Sequence, residues 1–166
     1  AALLGKKAYA RLALHRLHKK GEIAPVRNGW WALPDALPEA VACEVSTPAF
    51  ISFHSGLFLH GLTTQTPRQV QVAVARNAKT YAVFGLTVHE YRISKKRFNH
   101  FYARDGVLLA SPEKCLADSL GKPRTCPEMV IEEAIGKVDA GEVHSLLDSE
   151  AARKRLKKVL QRVGKK

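Results

Sequence analysis

The sequence predicts an α/β (α+β) chain: a small basic helix-and-hairpin unit, then a mixed α/β domain that finishes in helices. Three observations predict it. The stretch Lys6 to Leu33 reads as one amphipathic helix followed by two β-prone runs around Asn28-Gly29. Short apolar runs at 70–74, 87–93 and 107–110 are separated by polar turns. Everything after Pro127 carries helical spacing. A chain of 166 residues allows one large domain or two small ones. Pro34, Asp35 and Pro38 form a short linker, which divides the chain into residues 1–34 and 39–166.

In the first unit, Ala10, Ala13, Leu14 and Leu17 fall at i, i+3, i+4 and i+7, the apolar stripe of a helix. Lys7, Arg11, His15 and His18 stack on the opposite face. Gly21 after Lys19-Lys20 is a helix stop with cations in the last turn. Asn28-Gly29 between two β-prone runs is a hairpin signal, because both turn positions favour positive φ. A basic helix followed by a hairpin with Arg27 at its tip is how a winged helix-turn-helix ends. Such a helix enters the major groove, and the hairpin reaches the flanking backbone or minor groove. The plainer alternative is a solvated amphipathic helix packed on a hairpin. Ala1 to Leu4 reads as the end of a further short helix. The chain opens without a Met, so we expect its N-terminus to be truncated.

In the second unit, Glu39 to Val45 reads as a short helix that Thr47-Pro48 breaks. Ser52 to His60 reads as a buried helix, with Ser52 as N-cap, Gly61 just past its end, and Leu57 and Phe58 inward. Gly56 in mid-helix costs about 1 kcal/mol relative to Ala and signals close packing against another element. Val70 to Val74 alternates as a strand and Thr87 to Ile93 as another, with a loop at 76–79 between them. Phe98 to Tyr102 is open between a helical turn and an extended piece. Asp105-Gly106 is a turn into a short buried strand, Val107 to Ala110. Ser111-Pro112-Glu113 starts a helix: a cap, a proline at the first position and an acid in the first turn. Three helices follow at 127–138, 139–147 and 149–163. The first puts Met129, Val130, Ala134 and Ile135 on one face, and the last, capped by Asp148, puts Ala152, Leu156, Val159, Leu160 and Val163 on one face.

The net charge is +12, which favours a polyanionic partner. Residues 1–34 hold seven Lys/Arg against one Glu, and the last sixteen residues hold eight bases and no acid. The two ends are basic and the middle is nearly neutral. The closing helix carries Arg153, Lys154, Lys157 and Lys158, either a solvated face or a second basic surface for phosphates or an acidic partner. Cys43, Cys115 and Cys126 are odd in number and form no CxxC, which suits buried free thiols in a reducing cytoplasm. No apolar run is long enough to cross a membrane as a helix.

The phosphate-binding glycine loops GxGxxG and GxxxxGK[ST] are absent. The seven histidines form no HxxxH pair and no cluster with cysteine, so no metal or cofactor is expected. GxSxG is absent too. One weak catalytic pattern remains: Asp105, the strand 107–110, then Glu113-Lys114. It is loosely like nucleases that hold Mg²⁺ on carboxylates beside a Lys. The plainer reading puts Glu113 at a helix start for the dipole and Lys114 on ordinary helix surface.

Several stretches together resemble the AbiEi-like antitoxins, transcriptional regulators of type IV toxin–antitoxin systems. Arg27-Asn28-Gly29-Trp30-Trp31-Ala32-Leu33-Pro34 resembles the family's wing, with Trp31 where Tyr is usual. Phe50 to Leu62 resembles its "is…SAL..HGL" helix, with Gly56 where Ala is usual. Ala110 to Asp118 resembles "aspEkaLaD", and Arg153 to Gly164 resembles the closing helix. The segments agree in order and spacing over nearly the whole chain; the family's first helix has no counterpart here. The resemblance implies an N-terminal winged helix that binds its own promoter, and an α/β domain that counters a nucleotidyltransferase toxin.

The expected function is therefore sequence-specific binding of double-stranded operator DNA, without catalysis. Lys7, Arg11, His15, Arg16 and Lys19 would meet the major groove or phosphates, with Arg27 and Asn28 at the wing. The rivals are a Mg²⁺-dependent nuclease using Asp105, Glu113 and Lys114, and an RNA-binding module.

Overall fold

The computed structural model describes residues 7–27 and 29–164, without the side chain of Lys7. The expected helix end at Ala1 to Leu4 and the turn residue Asn28 lie outside the described residues. The first helix, α1, spans Lys7–Lys19. It is followed by a two-stranded antiparallel hairpin of β1 (Ala24–Arg27) and β2 (Trp30–Ala32). Next come α2 (Pro38–Ser46), β3 (Ala49–Ile51), α3 (Phe53–Leu59), β4 (Val70–Val74), β5 (Thr80–Val83) and β6 (Leu86–Arg92). A 3₁₀ turn at Lys95–Arg97 leads to β7 (Phe101–Arg104) and β8 (Val107–Ala110). Then α4 (Pro112–Gly121), α5 (Glu128–Ile135), α6 (Ala140–Ser145) and α7 (Glu150–Val163) complete a mixed α+β chain.

Six strands form one sheet in the order β5-β6-β4-β3-β8-β7. The β4/β6 and β3/β8 pairs are parallel and the others antiparallel. Alternation along the strands divides the core in two. Val70, Val72 and Val74 of β4 join Ala49 and Ile51 of β3 and Leu109 of β8 in a cluster with Val41, Ala42 and Val45 of α2. Ala73, Phe50 and Ala110 enter the other cluster, with Leu57 of α3, Leu116 and Leu120 of α4, Val130 of α5 and Leu156 of α7. The hairpin leans on the first cluster through Val26 and Ala32.

Leu57 is fully buried as expected, but Phe58 is 36% exposed. Ser52 occupies the N-cap position of α3, yet its hydroxyl donates to Asp118 Oδ2 at 2.8 Å instead of capping. Ser111 does cap α4, accepting from Lys114 N. The cap of α7 is Ser149, not Asp148; Asp148 accepts from Arg97. Met129 points outward at 65% exposure while Ile131 takes the core, and Leu160 is also exposed. β5 was not expected. It pairs with β6 across Phe84-Gly85, both at positive φ, where a bulky aromatic hides the turn. Phe98 to Tyr102 resolves into the approach to β7, an edge strand.

The three thiols are free and buried, and burial pushes Cys43 and Cys126 up to about 12. No described helix is long and apolar enough to cross a membrane.

Glu90 of β6 is 1% exposed. Arg76 holds it by two bonds of 2.7 and 3.0 Å, the Ser46 hydroxyl donates at 2.7 Å, and Lys79 N–H at 3.0 Å. Burial pushes its carboxyl up, but these bonds and the Arg76 charge outweigh that and leave it below its usual 4.5. A carboxylate depressed on folding stabilises above its unfolded value, and that contribution fades as pH falls through the folded one. Glu90→Gln should therefore cost about 1–3 kcal/mol at pH 7. Urea unfolding of both proteins should show the gap shrinking below pH 4.5. A gap that widens on acidification contradicts this account of the cluster.

Candidate nucleic-acid interface

Helix α1 ends in a Schellman motif. Gly21, at φ +76, lets Gly21 N donate to His18 O and Glu22 N donate to Leu17 O. The chain then reverses into β1 against the last turn of the helix. His18 closes that corner: its Nδ1 donates to Ile23 O at 3.1 Å and its ring lies 5.7 Å from Trp31. His18 thus ties the helix to the hairpin and leaves the basic face on which its spacing placed it.

Four other basic side chains of α1 stay free. Arg11, His15, Arg16 and Lys19 are exposed, and none has a side-chain hydrogen bond or ion pair among the described residues. Lys7 is the first residue of the helix, and its side chain lies outside the described set. Across the helix, Ala10 is 2% exposed. Of the predicted apolar stripe, Ala10 alone is buried and Ala13, Leu14 and Leu17 are half-buried, while the four titratable or cationic groups face outward. Tyr9 and Leu12 of α1 and Trp30 of the hairpin are exposed apolar residues.

Arg27 is half-buried. Its guanidinium carbon sits 5.2 Å from the centroid of Tyr81 on the edge strand β5. The hairpin arginine is therefore stacked on the sheet domain, a contact that nothing in the sequence announced. The Arg27 side chain has no hydrogen bond among the described residues, so stacking holds the group and leaves its N–H edge available. Asn28, expected beside it, lies outside the described residues.

The second basic surface divides. Arg153 donates to Leu147 O, Arg155 to Leu120 O, and Arg162 pairs with Glu128 at 2.7 Å. These arginines brace α7 against its neighbours. Lys154 and Lys157 are exposed and unpartnered among the described residues, and Lys158 is exposed near the Glu128 carboxylate.

The expected surface position of Lys114 is overturned. The residue is 1% exposed, and its ammonium donates to Asp118 Oδ1 at 2.6 Å. Burial pulls its pKa down against the pull of that carboxylate. Helical spacing alone could not show this, because both faces of α4 are covered by other elements. Asp105, by contrast, sits in an exposed turn beside Arg104, and Glu113 is half-buried. Among the described residues, no three His, Cys, Asp or Glu side chains gather as metal ligands would.

No protein-family profile matches the chain, and no curated protein matches it. A solved structure does. The crystal structure of RV2827C protein from Mycobacterium tuberculosis is similar over 96% of this chain and 67% of that one, at TM-score 0.64 and 14% identity. The likeness is one of fold. It covers the helix-and-hairpin unit and the sheet domain together, because so little of the chain falls outside it.

Proposed function

We propose that the protein is a sequence-specific DNA-binding transcriptional regulator of the AbiEi-like antitoxin kind. In this reading α1 and the β1–β2 hairpin are the end of a winged helix-turn-helix that occupies operator DNA in the protein's own promoter. The α/β domain counters a nucleotidyltransferase toxin. One observation carries the DNA-binding part: α1 turns Arg11, His15, Arg16 and Lys19 to solvent with no partner to neutralise them, beside a hairpin whose arginine is held in place. A helix face of that kind supplies both phosphate contacts and base-edge donors. The motif resemblance supports the antitoxin part, and the net charge of +12 suits a polyanion. The nuclease reading loses its lysine, since Lys114 is committed to Asp118 inside the core.

The test is a footprint on the DNA upstream of the protein's own reading frame, with and without Mg²⁺. We expect one protected site, bound without the metal and left uncut in its presence. Arg11→Ala should cost roughly 1–3 kcal/mol on that site and little on unrelated DNA. Arg27→Ala should weaken all sequences alike. Uniform binding to every duplex, or cleavage on adding Mg²⁺, contradicts the regulator.

A further inference from the structure

Where β4 begins, a cleft of about 450 Å³ opens between α3, the 65–69 loop and the turn before α5. Arg68 and Arg124 line it, both exposed and neither with a hydrogen bond or ion pair among the described residues. No Asp or Glu lines it, so nothing in the cleft balances the two cations. Its floor is built from hydrogen-bonded, buried side chains. Gln71 is 3% exposed, accepts from Ser55 N at 3.2 Å and donates to Thr125 O at 2.6 Å. His54, 7% exposed, has Nε2 at 2.8 Å from Gln65 O. A carbonyl only accepts, so Nε2 carries the proton; burial holds the ring neutral and leaves Nδ1 as an acceptor. Pro67 and Pro127 supply flat apolar walls.

We propose that this cleft binds a small phosphomonoester of mononucleotide size, its phosphate between Arg68 and Arg124 and its ring against the prolines. Guanidinium groups match phosphate oxygens in pairs and keep their charge at any physiological pH. Size decides for an ester over free phosphate: a volume within the range of small-molecule sites would be mostly empty around a bare anion. The neutral His54 and the floor amide add polar groups suited to a base or sugar edge. The site uses none of the α1 residues, so it stands apart from the DNA-binding reading.

Calorimetry on the full chain tests it, with adenosine and cytidine 5′-monophosphates, adenosine and inorganic phosphate as separate titrants. At least one monophosphate should bind saturably, and adenosine and phosphate roughly tenfold or more weakly. Arg68→Gln and Arg124→Gln should each weaken the monophosphate roughly tenfold, with an unchanged unfolding midpoint and unchanged affinity for duplex DNA. The proposal is overturned if no monophosphate saturates, if phosphate or adenosine binds as well, or if both variants keep wild-type affinity. Parallel loss of duplex binding in both variants would also overturn it, by making the cleft part of the nucleic-acid surface.

Discussion

Asp118→Ala should destabilise the protein by about 3–5 kcal/mol, the usual cost of leaving buried charge unpaired. Asp118 is fully buried. It accepts from Ser52 Oγ at 2.8 Å, Lys114 Nζ at 2.6 Å and Arg97 at 2.7 Å. One carboxylate therefore serves two cations and joins α3, α4 and the 3₁₀ turn. Removing it orphans the Lys114 ammonium, which is 1% exposed, and half-frees a guanidinium whose Nε already lacks a partner. Lys114→Met should cost clearly less, because Asp118 keeps Arg97 and Ser52. Denaturant unfolding of the two variants decides it. If Lys114→Met proves as damaging as Asp118→Ala, the carboxylate is not the hub.

The second large effect is a reversal of sign. In wild type, a Cβ on Gly56 would overlap Cys115 Sγ in α4. That thiol is fully buried and donates to Ala110 O at 3.7 Å, so rotating it away breaks that contact inside the core. Gly56→Ala should therefore cost about 1–3 kcal/mol from overpacking, less the roughly 1 kcal/mol that Ala returns in helix propensity. In a Cys115→Ala background the overlap disappears and Gly56→Ala should stabilise. This chain thus sets a glycine on one helix against a buried thiol on the other. A double-mutant cycle measures the coupling directly. Additive effects would show that the two helices do not share this contact.

Local chemistry was readable where a residue type has one favoured use. Asp105-Gly106 forms its turn with both residues at positive φ, Ser111 caps α4, and Gly56 sits at a close helix approach. Gly21 ends α1 in the expected way. Phe84-Gly85 makes a turn of similar backbone form, but an aromatic seldom adopts φ of 49°, and the strand before it went unseen. Long-range pairing was illegible for a different reason. Arg97 and Asp118 are distant in sequence, as are Arg27 and Tyr81, and neither pair leaves a periodic trace. The basic face of α1 was legible apart from His18, whose ring found Trp31. The two-arginine cleft could not be read at all, because Arg68 and Arg124 are isolated charges in separate loops.

The most direct test of the central claim is the salt dependence of operator binding, followed by fluorescence anisotropy on a labelled duplex. Phosphate contacts release counterions, so log affinity should fall with log salt at about −0.9 per phosphate neutralised. Arg16→Ala and Lys19→Ala should weaken binding and shallow that slope by about one each. Lys154→Ala and Lys157→Ala, also exposed and unpartnered, are the matched control and should leave affinity and slope near wild type. If the α7 lysines abolish binding while the α1 variants bind normally, the nucleic-acid surface lies on the closing helix and the account of α1 fails.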